Sequence, residues 1–97
     1  MKRNLYQYRK VKKEVAERDN YTCVLCGRYP AADAHHVIFR SKQGEDCKEN
    51  IVCLCRSCHD KAHGIYAKEI QAELISYLKG IYGDEYRNFK WASYKGS

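Results

Sequence analysis

Long apolar runs are missing from this sequence, and that absence is the first constraint on what the chain does. No stretch of its 97 residues is long enough to cross a bilayer. The opening Met1-Lys2-Arg3-Asn4-Leu5-Tyr6 has no apolar segment of the kind a secretory signal carries. A cytoplasmic protein with no membrane partner is therefore expected. Proline occurs once, at Pro30, and there is no internal repeat or low-complexity tract. One small domain spanning residues 1–97 is expected, with a core too modest to be comfortable without a cross-link. Acidic residues are outnumbered, 12 against 18 basic, for a net charge of +6 and a pI ≈ 9.0. That balance suits a polyanionic partner, but many small basic domains bind nothing in particular.

What the chain does have is cysteine and histidine: six of one, four of the other, all between Cys23 and His63. Four cysteines form two C-x-x-C pairs, Cys23/Cys26 and Cys55/Cys58. In a reducing cytoplasm such pairs are metal sites before they are disulfides, and four thiolates from two separated pairs suit a tetrahedral structural zinc. Two competing readings fit less well. A redox dithiol has no βαβ pattern to support it. A finger joining Cys23/Cys26 to His59/His63 has too long a gap and strands Cys55 and Cys58. Cys53 reads as a small buried apolar residue and Cys47 as an exposed loop thiol.

Periodicity places these residues on elements. Residues about 4–18 read as a helix with Leu5, Tyr8, Val11, Val15 and Ala16 on one arc. Its back carries Lys10 and Lys13, candidates for phosphate contact, and Asp19-Asn20 ends it. Cys23-Val24-Leu25-Cys26-Gly27 has the form of a zinc knuckle whose glycine permits the tight turn. Ala34 to Phe39 and Asn50 to Leu54 read as two strands of a hairpin, with a polar loop turning at Gly44-Glu45-Asp46. A short helix from about Cys55–Ser57 to His63 stops at Gly64. Ile70, Leu74, Tyr77, Leu78 and Ile81 form the apolar stripe of a further helix, and Asp84 to Tyr94, with Phe89 and Trp91, reads as another.

The short helix is the informative one. At roughly 100° per residue, with Cys55 at zero, Cys58 falls near −60°, His59 near +40° and His63 near +80°. The cysteine pair and the histidine pair thus occupy different faces, so one helix can serve two ions. Cys55 and Cys58 sit at its amino end, where the helix dipole favours thiolates. His59 and His63 stand at i, i+4, close enough to share an ion. His35 on the facing strand would complete three ligands, the open set of a catalytic centre. His36 points to the opposite face of a regular strand, which suits a different role. At a twisted strand end it can act as general base.

His35-His36, Asn50 and His59 in a frame of Cys23/Cys26 and Cys55/Cys58 resemble an HNH endonuclease over about residues 18–64. The string from His35 to Gly64, with Arg40, Gly44 and Cys55-Arg56-Ser57-Cys58-His59, is similar to small phage-type, zinc-containing HNH enzymes. The histidine layout also resembles the nuclease domains of bacterial colicins. The resemblance implies an α+β fold: a small ββα-metal, treble-clef-like domain with a structural zinc, flanked by N-terminal and C-terminal helices. By position it implies His35 and His59 as ligands of the catalytic ion and His36 as the base. It further implies Asn50 as the residue that holds the loop and orients His36. His63 matches the third ligand of the colicin type, which many relatives lack. Arg40 and Arg56 are candidate phosphate contacts.

The implied activity is hydrolysis of DNA phosphodiester bonds, by nicking or double-strand cleavage, leaving 5′-phosphate and 3′-hydroxyl ends. It needs a divalent ion (Mg²⁺, Mn²⁺, Zn²⁺ or Ni²⁺) because the phosphodiester anion repels a nucleophile and its alkoxide leaves poorly. An unperturbed histidine, titrating near pH ~6.5, is suited to take the proton of water. DNA is the expected partner; phage packaging proteins are suggested only by the resemblance. The alternative is a non-catalytic zinc-containing DNA-binding module, which explains the cysteines and the charge but leaves His36 idle.

Overall fold

The computed structural model describes residues 4–42 and 44–83, Arg40 by its backbone alone. The expected helix over Asp84 to Tyr94 lies outside those residues. Helix α1 spans Leu5–Arg18 and begins at Asn4, whose side chain accepts the Gln7 N–H at 3.1 Å, satisfying one of the donors left unpaired at a helix start. Val11 and Val15 are buried, but Leu5 is 56% exposed. The apolar arc thus reaches the core through Val11 and Val15, with Tyr8 packed against them, but not through Leu5. Strands β1 (Asp33–His36) and β2 (Ile51–Leu54) form one antiparallel pair, with His35 opposite Val52 and His36 opposite Ile51. Helices α2 (Arg56–Ala62) and α3 (Ala67–Tyr82) follow.

The alternation of the hairpin decides what each face does. Ile51 packs with Val11 and Val15 of α1, with Tyr8 and Ala34 alongside. Val52 and Leu54 pack with Val37, Ala62, Leu74 and Leu78 in a second cluster. The stripe of α3 packs there through Leu74 and Leu78, with Ile70 and Tyr77 against them, while Ile81 at its end is 41% exposed.

A two-stranded sheet leaves an outer edge of unpaired backbone groups, which must find partners when buried. Here the end of α1 supplies them. The Cys53 N–H donates to Asp19 Oδ2 at 2.9 Å, and Arg18 donates to the Ile51 carbonyl at 2.7 Å. Asp19 also accepts from Arg18 at 2.8 and 2.9 Å and from the Tyr77 hydroxyl at 2.5 Å. Asp19 ends α1 as expected, and in addition ties α1, β2 and α3 together. No helix among the described residues is long and apolar enough to cross a membrane.

The strands are shorter than periodicity suggests. Val37 and Ile38 leave the ladder but stay buried, because Asn50 holds them. Asn50 is fully buried at the end of a 3-10 turn, Lys48–Asn50. Its Oδ1 accepts the Ile38 N–H at 2.8 Å, and its Nδ2 donates to the carbonyls of Ile38 and Glu45 at 3.1 and 3.0 Å. Gly44 closes the same loop: a side chain there would run into the Ile38 carbonyl oxygen. Cys47 is half-buried rather than exposed, and burial pushes its thiol up to about 12.

Candidate functional site

The two C-x-x-C segments fold alike and face each other. In each, the backbone N–H of the second cysteine meets the sulfur of the first, Cys26 to Cys23 at 3.5 Å and Cys58 to Cys55 at 3.4 Å. Gly27 completes the first knuckle in the left-handed region at φ 81°, where a glycine costs nothing. The four sulfurs lie within 4.8 Å of one another, and Cys26 Sγ is 3.6 Å from Cys55 Sγ. Two sulfurs about 2.3 Å from one tetrahedral zinc must stand about 3.8 Å apart, so the cluster has the dimensions the ion requires. Burial pushes the Cys23 thiol up, but N–H groups of Cys26, Cys55 and Leu25 outweigh it and bring it down to about 6. Cys58 goes the other way, up to about 12, through burial and its sulfur neighbours. Such a set readily provides one thiolate and yields the rest to a dication.

A second cluster joins β1 to α2. The ligand atoms of His35, His59 and His63 lie within 4.8 Å of one another. His35 is buried, and its Nδ1 has no hydrogen-bond partner among the described residues. Burial, and then His59, His63 and His36, lower its pKa to about 3, so the ring is a neutral donor. His59 Nδ1 stands 3.0 Å from Asp33 Oδ2; an imidazole donating there presents its Nε2 lone pair to an ion. An orphaned buried nitrogen beside two more imidazoles fits a divalent cation held by three ligands with an open side.

His36 leaves the strand on the opposite face, as alternation requires, yet lines the same cleft. That cleft, about 400 Å³, is bounded by Tyr8, Ala34, His36, Phe39, Ser41, His59 and His63. The His36 ring stacks on Tyr8 of α1, centroids 6.0 Å apart, and its Nε2 is 2.6 Å from Asp46 Oδ1. Through Ile38 and Glu45, Asn50 holds both arms of the loop that carries Asp46.

The HNH endonuclease model matches residues 23–64, the span holding both clusters. A similar curated protein is Anaredoxin of Nostoc sp. (strain PCC 7120 / SAG 25.82 / UTEX 2576), 37% identical over 59 residues, which are 60% of this chain and 78% of that protein. The chain belongs to the HNH endonuclease family. Among the described residues, a two-stranded antiparallel sheet, three α-helices and the four-cysteine cluster make the ββα-metal fold with a zinc-compatible centre.

Within this HNH frame the remaining expected site residues are scattered. Arg56 is 75% exposed and leans on Asp33 at 3.4 Å and Asp60 at 3.6 Å. Arg40 opens a 3-10 turn, Arg40–Lys42, beside the cleft residue Ser41. Lys13 lines a groove between α1 and β1, whereas Lys10, also exposed, does not. Three residues that sequence reading passes over surround the histidines: Asp33 on His59, Asp46 on His36, and Tyr8 against His36. Asp33 had a signal, since it lies two positions before His35 on the same strand face. Asp46 and Tyr8 had none.

Asn50→Ala is expected to cost about 2–3 kcal/mol, because the Ile38 N–H and two carbonyls lose their partner inside the protein. Urea unfolding measures it. A change under about 0.5 kcal/mol would mean the loop holds without Asn50.

Proposed function

We propose that this protein is a metal-dependent HNH endonuclease that hydrolyses DNA phosphodiester bonds. The observation that carries the reading is one cleft lined by His59 and His63 of the three-histidine cluster and, from the opposite strand face, by His36. His35, His59 and His63 would hold a divalent ion; Cys23, Cys26, Cys55 and Cys58 a structural zinc. When bound, the catalytic ion supplies charge that offsets the phosphate anion and the departing alkoxide. His36 takes the proton from the attacking water. Asp46 fixes the ring by accepting from Nε2, and an imidazole that donates through one nitrogen accepts through the other. Asn50 keeps the Asp46 loop in place, and Asp33 keeps His59 in the ligand tautomer. Arg40, Arg56, Lys10 and Lys13 contribute to holding phosphates, with DNA read through backbone and shape rather than base edges.

Supercoiled plasmid incubated with the protein and Mg²⁺, Mn²⁺, Zn²⁺ or Ni²⁺ separately should give nicked or linear product with at least one ion and none in excess chelator. The ends should be 5′-phosphate and 3′-hydroxyl, so a ligase should reseal the nicks without pretreatment. Plasmid that is bound but left intact with all four ions would make the protein a zinc-containing DNA-binding module instead.

A further inference from the structure

We infer that the groove between α1 and β1 is a phosphate subsite, holding the DNA backbone next to the bond that the cleft cleaves. The inference rests on the endonuclease reading for the position of the cut, but not for the binding itself. The groove, about 300 Å³, is lined by Arg9, Lys12 and Lys13 together with Ala16, Ala32 and Ala34. The small alanine side chains leave room for a sugar–phosphate chain beside the three cations. The carboxylates of α1, Glu14 and Glu17, do not line it. Asp33 does, but its carboxylate is engaged by His59 and Arg56.

Groove and cleft share a wall. Ala34 lines both. The Lys12 ammonium sits 5.2 Å from the centre of the Tyr8 ring, and that ring stacks on His36 at 6.0 Å. Two ring contacts therefore separate a groove cation from the base, a span of one to about three nucleotides at ~3.4 Å of axis per strand step. A strand entering the cleft has its neighbouring phosphates at the groove, where each neutralised charge releases a counterion and strengthens binding at low salt. The chemistry favours a repeating phosphodiester over a single anion, because three separate cations line one groove and the cleft shares its wall at Ala34.

The test uses His36→Ala protein, which is expected to bind without cutting, with and without Arg9→Gln, Lys12→Gln and Lys13→Gln together. Anisotropy with a short duplex across a salt series should show the slope of log K against log salt falling by about two to three units in the triple variant. Duplexes with one neutral methylphosphonate at a time should reveal, within about three nucleotides of the wild-type cut, a position that weakens binding. The triple variant should be indifferent to that substitution. Equal slopes, or equal sensitivity at that position, would overturn the subsite. If the triple variant fails to fold by circular dichroism, Arg9→Gln with Lys13→Gln, which keeps the Lys12–Tyr8 contact, should still lower the slope by one to about two units. Wild-type protein that cuts DNA while the slopes are equal removes the subsite alone. A groove-dependent slope in a protein that cuts nothing removes the endonuclease reading alone.

Discussion

Replacing His36 with Ala is expected to reduce plasmid cleavage about 10²–10⁴-fold, the worth of a positioned general base, while metal content and DNA affinity stay near wild type. The separation follows from the strand. His36 lies on the face of Tyr8 and Ala34, while His35 on the other face approaches His59 and His63 with ring centroids 5.0 and 5.2 Å away. Removing His36 should therefore delete the proposed proton acceptor without opening the three-histidine cluster. His59→Ala should behave differently. It removes one of the three proposed ligands and leaves Asp33 without its imidazole partner, so affinity for the catalytic ion should fall and excess metal should partly restore activity. Metal titration, plasmid nicking and DNA-binding curves for both variants make the comparison. Undiminished cleavage by His36→Ala would end its assignment as base. Equal metal loss in the two variants would make His36 a ligand.

The second large effect is expected at the sulfur cluster. Cys58→Ala should yield protein without its zinc and without a cooperative thermal transition. A structural zinc is worth on the order of 10–16 kcal/mol to a small fold, more than the total stability of most domains. Cys58 is buried with Cys23 and Cys55 in the four-sulfur cluster, so its loss leaves only three thiols for the ion. Cys53→Ala provides the contrast. Cys53 is also buried but lies outside the cluster, and its thiol donates to the Ala31 carbonyl at 2.9 Å. It should cost about 1 kcal/mol and leave the zinc in place. Metal analysis with circular dichroism distinguishes them. A Cys58→Ala protein that is metal-free yet melts like the wild type would remove the structural-zinc role.

The parts of this architecture legible in the sequence are those written in local spacing. The cysteine pairs declare their knuckles because two residues of separation is what a turn around one ion needs. The helical angles of Cys58, His59 and His63 give two faces to α2 from spacing alone. Asn50 stands out only through family resemblance, since nothing local marks a buried asparagine that ties Ile38 to Glu45. Leu5 misleads because a periodic arc cannot say where along α1 the core begins. Asp19 shows the opposite failure. It reads as a helix breaker, yet its larger role is to pair the outer edge of β2 and meet Tyr77 of α3. Asp46 and Tyr8 reach His36 from elements whose approach depends on tertiary packing, and no spacing rule encodes that meeting.

Helix α2 has only seven residues, with Cys55 capping it and His63 closing it. Cys58 within it belongs to one cluster and His59 to the other. Less than two turns of rigid backbone therefore connect the two prospective ions, so an ordering imposed at either end is inherited at the other. Thermodynamic reciprocity then applies: whatever factor zinc adds to the affinity for the catalytic cation, the cation must return to zinc. A protein first stripped of both metals should accordingly fill with positive cooperativity, a heterotropic coupling between a cross-link and a cleft.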